Sequence, residues 1–170
     1  MNQRTLVRRM CRGAIFGALY VVLTLVSSIF GLSSGAIQLR LSEMLCVLPL
    51  FAPEAVWGLT AGCAIANLIT GAPWQDVVFG SLATLLGALG AWAFCRARGW
   101  GRYLAPLPTV IANAVIIPTV LIYAYALEGT WWFFALTVGL GELVSAGVFG
   151  AILIPTIEKR LGVFFKNHKN

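Results

Sequence analysis

Long apolar segments, separated by short polar connections, occupy most of this sequence and leave little chain for a water-soluble domain. Hydrophobic residues make up 59% of the chain and charged residues 11%, whereas ordinary soluble domains have roughly 45–50% and 25%. A helix that crosses a bilayer needs about 20 apolar residues and must satisfy its own backbone groups, which leaves room for about six helices. The sequence therefore predicts an all-α, polytopic membrane protein with a single transmembrane domain over residues 1–170.

The predicted architecture is a six-helix bundle with short loops. The helices are expected to cover about residues 12–32, 41–51, 53–70, 74–94, 104–127 and 130–161. The second is short for a span and contains or adjoins Pro49 and Pro53, so we expect a short, tilted or partly re-entrant helix. Pro118 lies inside the fifth helix and is expected to kink it.

Basic residues are distributed unevenly over the predicted connections. If the helices alternate in direction, every lysine and arginine except Arg40 lies on one side of the membrane. Cytoplasmic connections of membrane proteins carry the excess of basic residues, so we expect both termini, about residues 1–11 and 162–170, in the cytoplasm. This distribution explains the net charge of +6 better than nucleic-acid binding does.

Motifs for catalysis, metal binding or ATP binding are absent from the sequence. It contains no GxSxG, HExxH or glycine-rich nucleotide loop, its cysteines lack metal-ligand spacing, and His168 is its single histidine. We therefore predict that the chain is not an enzyme and holds no metal or cofactor. Any ATP-driven step would need a separate ATPase.

Seven polar residues lie in or near the apolar layer, away from the basic flanks. The candidate substrate-binding residues are Gln38, Arg40, Glu43, Asn67, Asp76, Asn113 and Glu142. At about 1.5 Å per residue, Glu142 and Asn113 lie roughly 16 Å and 14 Å from the nearest helix ends, close to the midplane. The others lie in the outer half. Because polar groups in lipid are usually functional, we predict a pocket that opens outward to capture a solute.

A structural role for these groups remains an alternative. Arg40 and Glu43 could form a local ion pair, and the asparagines could join helices through hydrogen bonds. Glu142 is harder to explain in this way, because no basic residue is expected at its depth, so it should be protonated or neutralised by a ligand. Possible stacking residues are Trp74, Trp131 and Trp132, although a role as interfacial anchors is favoured.

Small residues recur at a spacing of four on two predicted helices. In helix one they are Gly13, Ala14, Gly17 and Ala18, and in helix four Gly80, Thr84, Gly87 and Ala91. Such stripes let another helix approach closely. For helix one the neighbour could be a partner subunit or a helix of the same bundle, and spacing alone slightly favours the second. For helix four we expect internal packing.

An ordered set of short runs resembles the QueT family of substrate-binding S-components, which belong to energy-coupling factor (ECF) transporters. The runs are Ala14–Ala18 as an AxxxA motif, Gln38–Glu43 with Leu48–Pro49, Gly62–Asn67, Asp76–Thr84 and Ala105–Pro108. They extend over nearly the whole chain, and the set is more specific than AxxxA alone. The resemblance favours docking of Ala14 and Ala18 against a partner subunit.

The resemblance implies a subunit of an ABC-type importer in a prokaryotic plasma membrane. It implies capture of a queuosine precursor such as the aminomethyl-deazaguanine base preQ1, together with a transmembrane coupling subunit and two cytoplasmic ATPases that use ATP. A deazaguanine suits the polar residues, since its adjacent N–H donors can pair with a carboxylate and its aminomethyl group is a cation. The alternatives are another nucleobase or a vitamin cation as cargo, or a membrane enzyme or scaffold with buried acids.

Overall fold

The computed structural model describes residues 3–31, 39–97, 99–126 and 128–166, with side chains up to residue 160. These ranges contain six main helical segments, a short 3₁₀ helix at Gly99–Leu104 and no strand, which confirms the predicted all-α bundle. The segments are α1 (Gln3–Ile29), α2 (Leu41–Leu50), α3 (Ala55–Ile69), α4 (Asp76–Arg96), α5 (Leu107–Tyr123) and α6, which runs through Trp131–Glu142, Leu143–Phe149 and Gly150–Lys166.

Four of the described helices are long and apolar enough to cross a membrane: α1, α4, α5 taken together with the 3₁₀ helix before it (Gly99–Tyr123), and α6; α2 and α3 are shorter. The predicted short second helix is confirmed: α2 is a 3₁₀ helix of 10 residues with Pro49 inside it, and it rises only about 20 Å. Helix one was predicted to begin near residue 12 but begins at Gln3, since arginines are good helix formers and extend the helix beyond its apolar part.

Close contact between glycines holds α1 parallel to α3. Gly17 packs on Gly58 and Gly62: a Cβ added to Gly17 would lie 2.7 Å from the Gly58 carbonyl oxygen, and one added to Gly62 would lie 2.7 Å from the Gly17 carbonyl oxygen. Gly13 packs in the same way on Gly58 and on the ring of Trp57. No side chain fits between the two backbones at these positions.

These contacts correct part of the docking prediction for helix one. Gly13 and Gly17 are buried inside the bundle, because α3 presents its own glycines to them. Ala14 and Ala18 are exposed on the surface of the bundle. The small residues of α1 therefore serve two different faces of the helix.

The small residues of α4 pack internally, as predicted. Gly80, Thr84, Gly87 and Ala91 are all buried. A Cβ added to Gly87 would lie 2.5 Å from the Thr109 hydroxyl oxygen, so the antiparallel helix α5 packs directly on the α4 backbone.

The alternating helices give the bundle two ends. We call the end where α1, α3 and α5 finish and α2, α4 and α6 begin the site end, and the opposite end, where α2 and α4 finish and α1, α3 and α5 begin, the terminal end. At the terminal end Arg12 forms an ion pair with Glu54 at 3.4 Å, and Arg102 forms one with Glu158. The Arg102 guanidinium also lies 5.0 Å from the centre of the Phe51 ring, a distance at which cation–π attraction acts.

Candidate functional site

Glu43 on α2 is buried and is held by two donors. The Tyr20 hydroxyl of α1 donates a hydrogen bond to Oε1, and the Cys46 thiol lies 3.2 Å from Oε2 and donates to it. Glu43 forms no ion pair with Arg40 within the described residues. The alternative of a local ion pair between Arg40 and Glu43 is therefore wrong, because donors from α1 and from one turn further along α2 already occupy this carboxylate.

Two further contacts join α1 to α2 on the same side. The hydroxyl groups of Thr24 and Ser42 are hydrogen-bonded at 2.9 Å, and the Leu41 backbone N–H donates to the Ser27 hydroxyl at 3.0 Å. Tyr20, Thr24 and Ser27 are spaced about one helical turn apart, so they lie on one face of α1. This face fixes the position of the helix that carries Glu43.

Arg40 and Asn67 meet over the backbone of Gly80. A Cβ added to Gly80 would lie 3.1 Å from Asn67 Nδ2 and 3.9 Å from Arg40 Nη1. Asn67 Nδ2 donates to the Asp76 carbonyl oxygen at 2.8 Å and thereby joins α3 to the first turn of α4. That turn, Asp76–Gly80, is a π-helix, a distortion that occurs often near functional sites. Asn67 therefore has the helix-joining role that was the structural alternative for it.

Glu142 on α6 is 3% exposed, and its Oε2 atom makes no hydrogen bond within the described part of the chain. It ends a regular helical stretch, and the π-helix Leu143–Phe149 follows directly. Arg40 and Glu43 lie within electrostatic range of it. The expectation that no basic residue would lie near Glu142 is corrected, because the long Arg40 side chain reaches into the bundle from the start of α2. Between the described residues, however, Arg40 and Glu142 form no ion pair.

Asn113 and Thr109 lie on α5, one turn apart. Asn113 is buried, and its Nδ2 donates to the Thr109 carbonyl oxygen at 3.1 Å within the same helix. The Thr109 hydroxyl is fully buried and has no hydrogen-bond partner among the described residues. Thr109 and Glu142 both lie near the Cys46 thiol, so the three side chains share the region where α2, α5 and α6 meet.

Asp76 and Tyr125 lie together at the site end. Asp76 is half-buried at the start of α4, and Tyr125 follows α5 in the connection to α6. The Tyr125 hydroxyl is buried and forms no hydrogen bond of normal geometry within the described chain, although the Asp76 carboxylate is close to it and Arg40 is within electrostatic range. Burial, together with the Asp76 carboxylate, raises the pKa of Tyr125, so its hydroxyl keeps its proton and remains a donor.

The polar atoms without partners gather in this region. Within the described residues, five buried side-chain polar atoms lack a hydrogen bond, and four of them are Arg40 Nε, Thr109 Oγ1, Tyr125 Oη and Glu142 Oε2. The fifth is Arg102 Nε at the terminal end. Buried polar atoms are nearly always paired, so four unpaired ones in a single region favour a site that a polar ligand completes.

The remaining predicted site residues lie elsewhere. Gln38 falls outside the described residues. Trp74 and Trp132 are 67% and 73% exposed, and the Trp131 indole N–H donates to the Thr119 hydroxyl at 3.1 Å. These positions on the surface and at the site end suit interfacial anchors, the role favoured for them from sequence.

Tyr125 and Thr109 were not among the residues singled out from the sequence. A tyrosine two residues after Tyr123 near the end of a predicted helix, and a threonine in an apolar helix, carry no pattern that separates them from ordinary packing residues. Only the burial of their unpaired hydroxyl groups identifies them. Three or more His, Cys, Asp or Glu side chains that could share a metal ion do not occur together in the described part of the chain.

Comparison with known proteins gives the family. The sequence matches the family model described as QueT transporter over residues 10–159. The chain belongs to the QueT transporter family. A protein named queuosine precursor transporter QueT, from Lactococcus lactis subsp. cremoris (strain MG1363), is 33% identical over 159 residues, which cover 87% of this chain and 90% of that protein. No solved structure matches significantly. The resemblance read from the sequence is thus confirmed, and this QueT-family chain is a multi-pass membrane protein of a transporter family.

Proposed function

We propose that this protein is the substrate-binding S-component of an ECF transporter, and that it captures a queuosine precursor, preferably the aminomethyl-deazaguanine base preQ1. The main support for the proposal is a group of four buried side-chain atoms that lack a hydrogen-bond partner: Arg40 Nε, Thr109 Oγ1, Tyr125 Oη and Glu142 Oε2. We call the side chains of this region, together with Glu43 and Asp76, the cluster. The relative named as a queuosine precursor transporter supports this choice of cargo.

The charges of the cluster suit such a base. Glu43, Asp76 and Glu142 have Arg40 as their common basic neighbour. When all four are ionised the cluster is negative, which favours a ligand with a positive group. The free oxygen of Glu142 offers an acceptor for the N–H edge of a deazaguanine, and hydrogen bonds to a charged acceptor are the stronger kind.

The transport step is proposed to depend on other subunits. The site end faces outward in this proposal, with both termini in the cytoplasm in accordance with the distribution of basic residues. A transmembrane coupling subunit docks on the exposed face of α1 that carries Ala14 and Ala18, and two cytoplasmic ATPases supply the energy. The chain itself binds and releases the base, performs no catalysis and uses no cofactor.

Equilibrium binding tests the cargo. The purified protein is titrated with aminomethyl-deazaguanine, with and without excess guanine, and with a thiamin-like cation for comparison. Tight binding of aminomethyl-deazaguanine that guanine displaces poorly is the expected result. Failure to bind any deazaguanine contradicts the proposed cargo, and tight binding of the thiamin-like cation instead would favour the vitamin alternative.

Co-purification tests the partner. Ala14→Trp places a large ring on the proposed docking face, so the complex with the coupling subunit and ATPases should no longer co-purify, while base binding stays unchanged. Ile15→Trp is the matched control, because Ile15 is also exposed but points about 100° away around the helix. An intact complex with Ala14→Trp, or equal loss with both variants, counts against this docking face.

A further inference from the structure

The polar groups of the site separate into two levels. At the inner level Glu142 has Glu43 and Arg40 within electrostatic range. At the outer level, near the site end, Tyr125 has Asp76 and Arg40 within range. Asp76 is the first residue of α4 and Tyr125 lies two residues after the end of α5, so both are at the site end, whereas Glu142 lies eleven residues into α6 from Trp131. Arg40 takes part in both, so it lies between the two levels.

We infer from this separation that the substrate binds in one orientation, with the N–H edge of its heterocycle at Glu142 and its cationic arm at Asp76 and Tyr125. The inference rests on the proposed function and makes it more specific. It also assigns Tyr125 to the site as a further substrate-contacting residue, and it places the small aminomethyl group rather than the ring toward the site end.

The environment of each carboxylate favours this assignment. An ammonium group loses less hydration beside half-buried Asp76 than beside Glu142, which is almost fully buried, and desolvation of a cation is costly. Glu43 already accepts hydrogen bonds from Tyr20 and Cys46. Asp76 is therefore the carboxylate best placed for a positive arm.

Tyr125 completes the cation subsite through its hydroxyl. The hydroxyl has one proton to donate and lone pairs to accept, so its oxygen can accept from the ammonium while its proton points to the Asp76 carboxylate. This arrangement would satisfy the buried hydroxyl that now lacks a partner. The Tyr125 ring packs against the apolar cluster that contains Ile117, Leu121 and Phe134, which fixes the direction of the hydroxyl.

The inner level suits the flat, neutral edge of the base. Glu142 presents an unpaired oxygen, and the unpaired Thr109 hydroxyl lies near the same point of the bundle. Adjacent N–H donors can bind one carboxylate in a bidentate manner, which fixes both position and plane. At low local dielectric such bonds are stronger than in water.

Two ligands and three variants test the orientation. Dissociation constants are measured for aminomethyl-deazaguanine and for 7-deazaguanine, which lacks the arm. Asp76→Asn should weaken the first ligand by roughly 10-fold or more and Tyr125→Phe by roughly 5-fold, each with little change for the second. Glu142→Gln should weaken both ligands by a similar factor. Tyr123→Phe is the matched control, because Tyr123 is 82% exposed and should change neither constant.

The two-ligand design separates the possible failures. Retained binding of 7-deazaguanine shows that the Asp76→Asn and Tyr125→Phe proteins are folded. Equal weakening of both ligands by these variants overturns the orientation, as does a Glu142→Gln protein that loses only its preference for the arm. If the unsubstituted protein binds neither base, the proposed function itself fails.

Discussion

The carboxylates at the two ends of the bundle differ in whether they form ion pairs. At the terminal end Glu54 pairs with Arg12 and Glu158 pairs with Arg102. Toward the site end Glu43, Asp76 and Glu142 have only Arg40 as a common basic neighbour, and in the described chain no ion pair forms among them. The terminal end therefore has its charges compensated within the fold, whereas the site has an excess of acceptors.

This difference implies that the paired charges of the terminal end contribute to stability, whereas the unpaired groups of the site contribute to binding. A buried polar group without a partner costs about 1–3 kcal/mol, so the unpaired atoms of the site destabilise the ligand-free protein. At the terminal end the carboxylates of Glu54 and Glu158 have arginine partners, so these ion pairs can contribute to stability. Substitutions at the two ends should consequently change stability with opposite signs.

Glu142→Met should give the largest effect. It replaces an unpaired buried carboxylate with an apolar side chain of similar size, so base binding should weaken by about 100-fold or more through loss of charge-assisted hydrogen bonds, while the ligand-free protein becomes more stable. Titration with aminomethyl-deazaguanine and thermal unfolding in detergent measure the two effects. Lower stability together with unchanged binding would mean that Glu142 has a structural role.

Glu54→Met should give the opposite result. Glu54 is nearly buried, and its loss deprives the partly buried Arg12 of a carboxylate, so the free energy of unfolding should fall by about 1–3 kcal/mol. Binding of the base should be unchanged, because the substitution lies at the other end of the bundle. Thermal unfolding and the same titration provide the comparison, and a weakened affinity would show that the two ends are not independent.

Glu158→Gln should have the smallest effect. Arg102 and Glu158 have side chains that are 25% and 39% exposed, and ion pairs with that much exposure contribute about 0–1 kcal/mol. The small loss of stability should disappear in high salt, which screens the pair in the unsubstituted protein as well. A salt-independent loss of several kcal/mol would instead place this pair among the main determinants of stability.

Hydropathy was sufficient to predict the number and type of helices. The apolar lengths predicted six segments and a short second one, because membrane helices depend mainly on local composition. The contrast between apolar segments and isolated polar residues also identified Glu43, Asp76 and Glu142 as exceptions within apolar sequence. Their partners were not predictable in this way, since Tyr20 reaches Glu43 from another helix and displaces the local pairing with Arg40.

The division of the small residues on α1 also needed the fold. Spacing places Gly13, Ala14, Gly17 and Ala18 on neighbouring faces, but the face that is buried depends on Gly58 and Gly62 of α3. Tyr125 is a comparable case, since its proximity to Asp76 depends on where the end of α5 lies relative to the start of α4. Both depend on contacts between distant parts of the chain, which local patterns do not encode.

The architecture of α1 has a mechanical consequence. The helix is about 40 Å long. Its exposed Ala14 and Ala18 lie on either side of its middle, and its Tyr20, Thr24 and Ser27 contact the segment that carries Glu43. Backbone contact with α3 at Gly13 and Gly17 leaves no layer of side chains to absorb a displacement. A displacement of the exposed face of α1 would therefore move the whole helix as a rigid element and reach the carboxylate of Glu43.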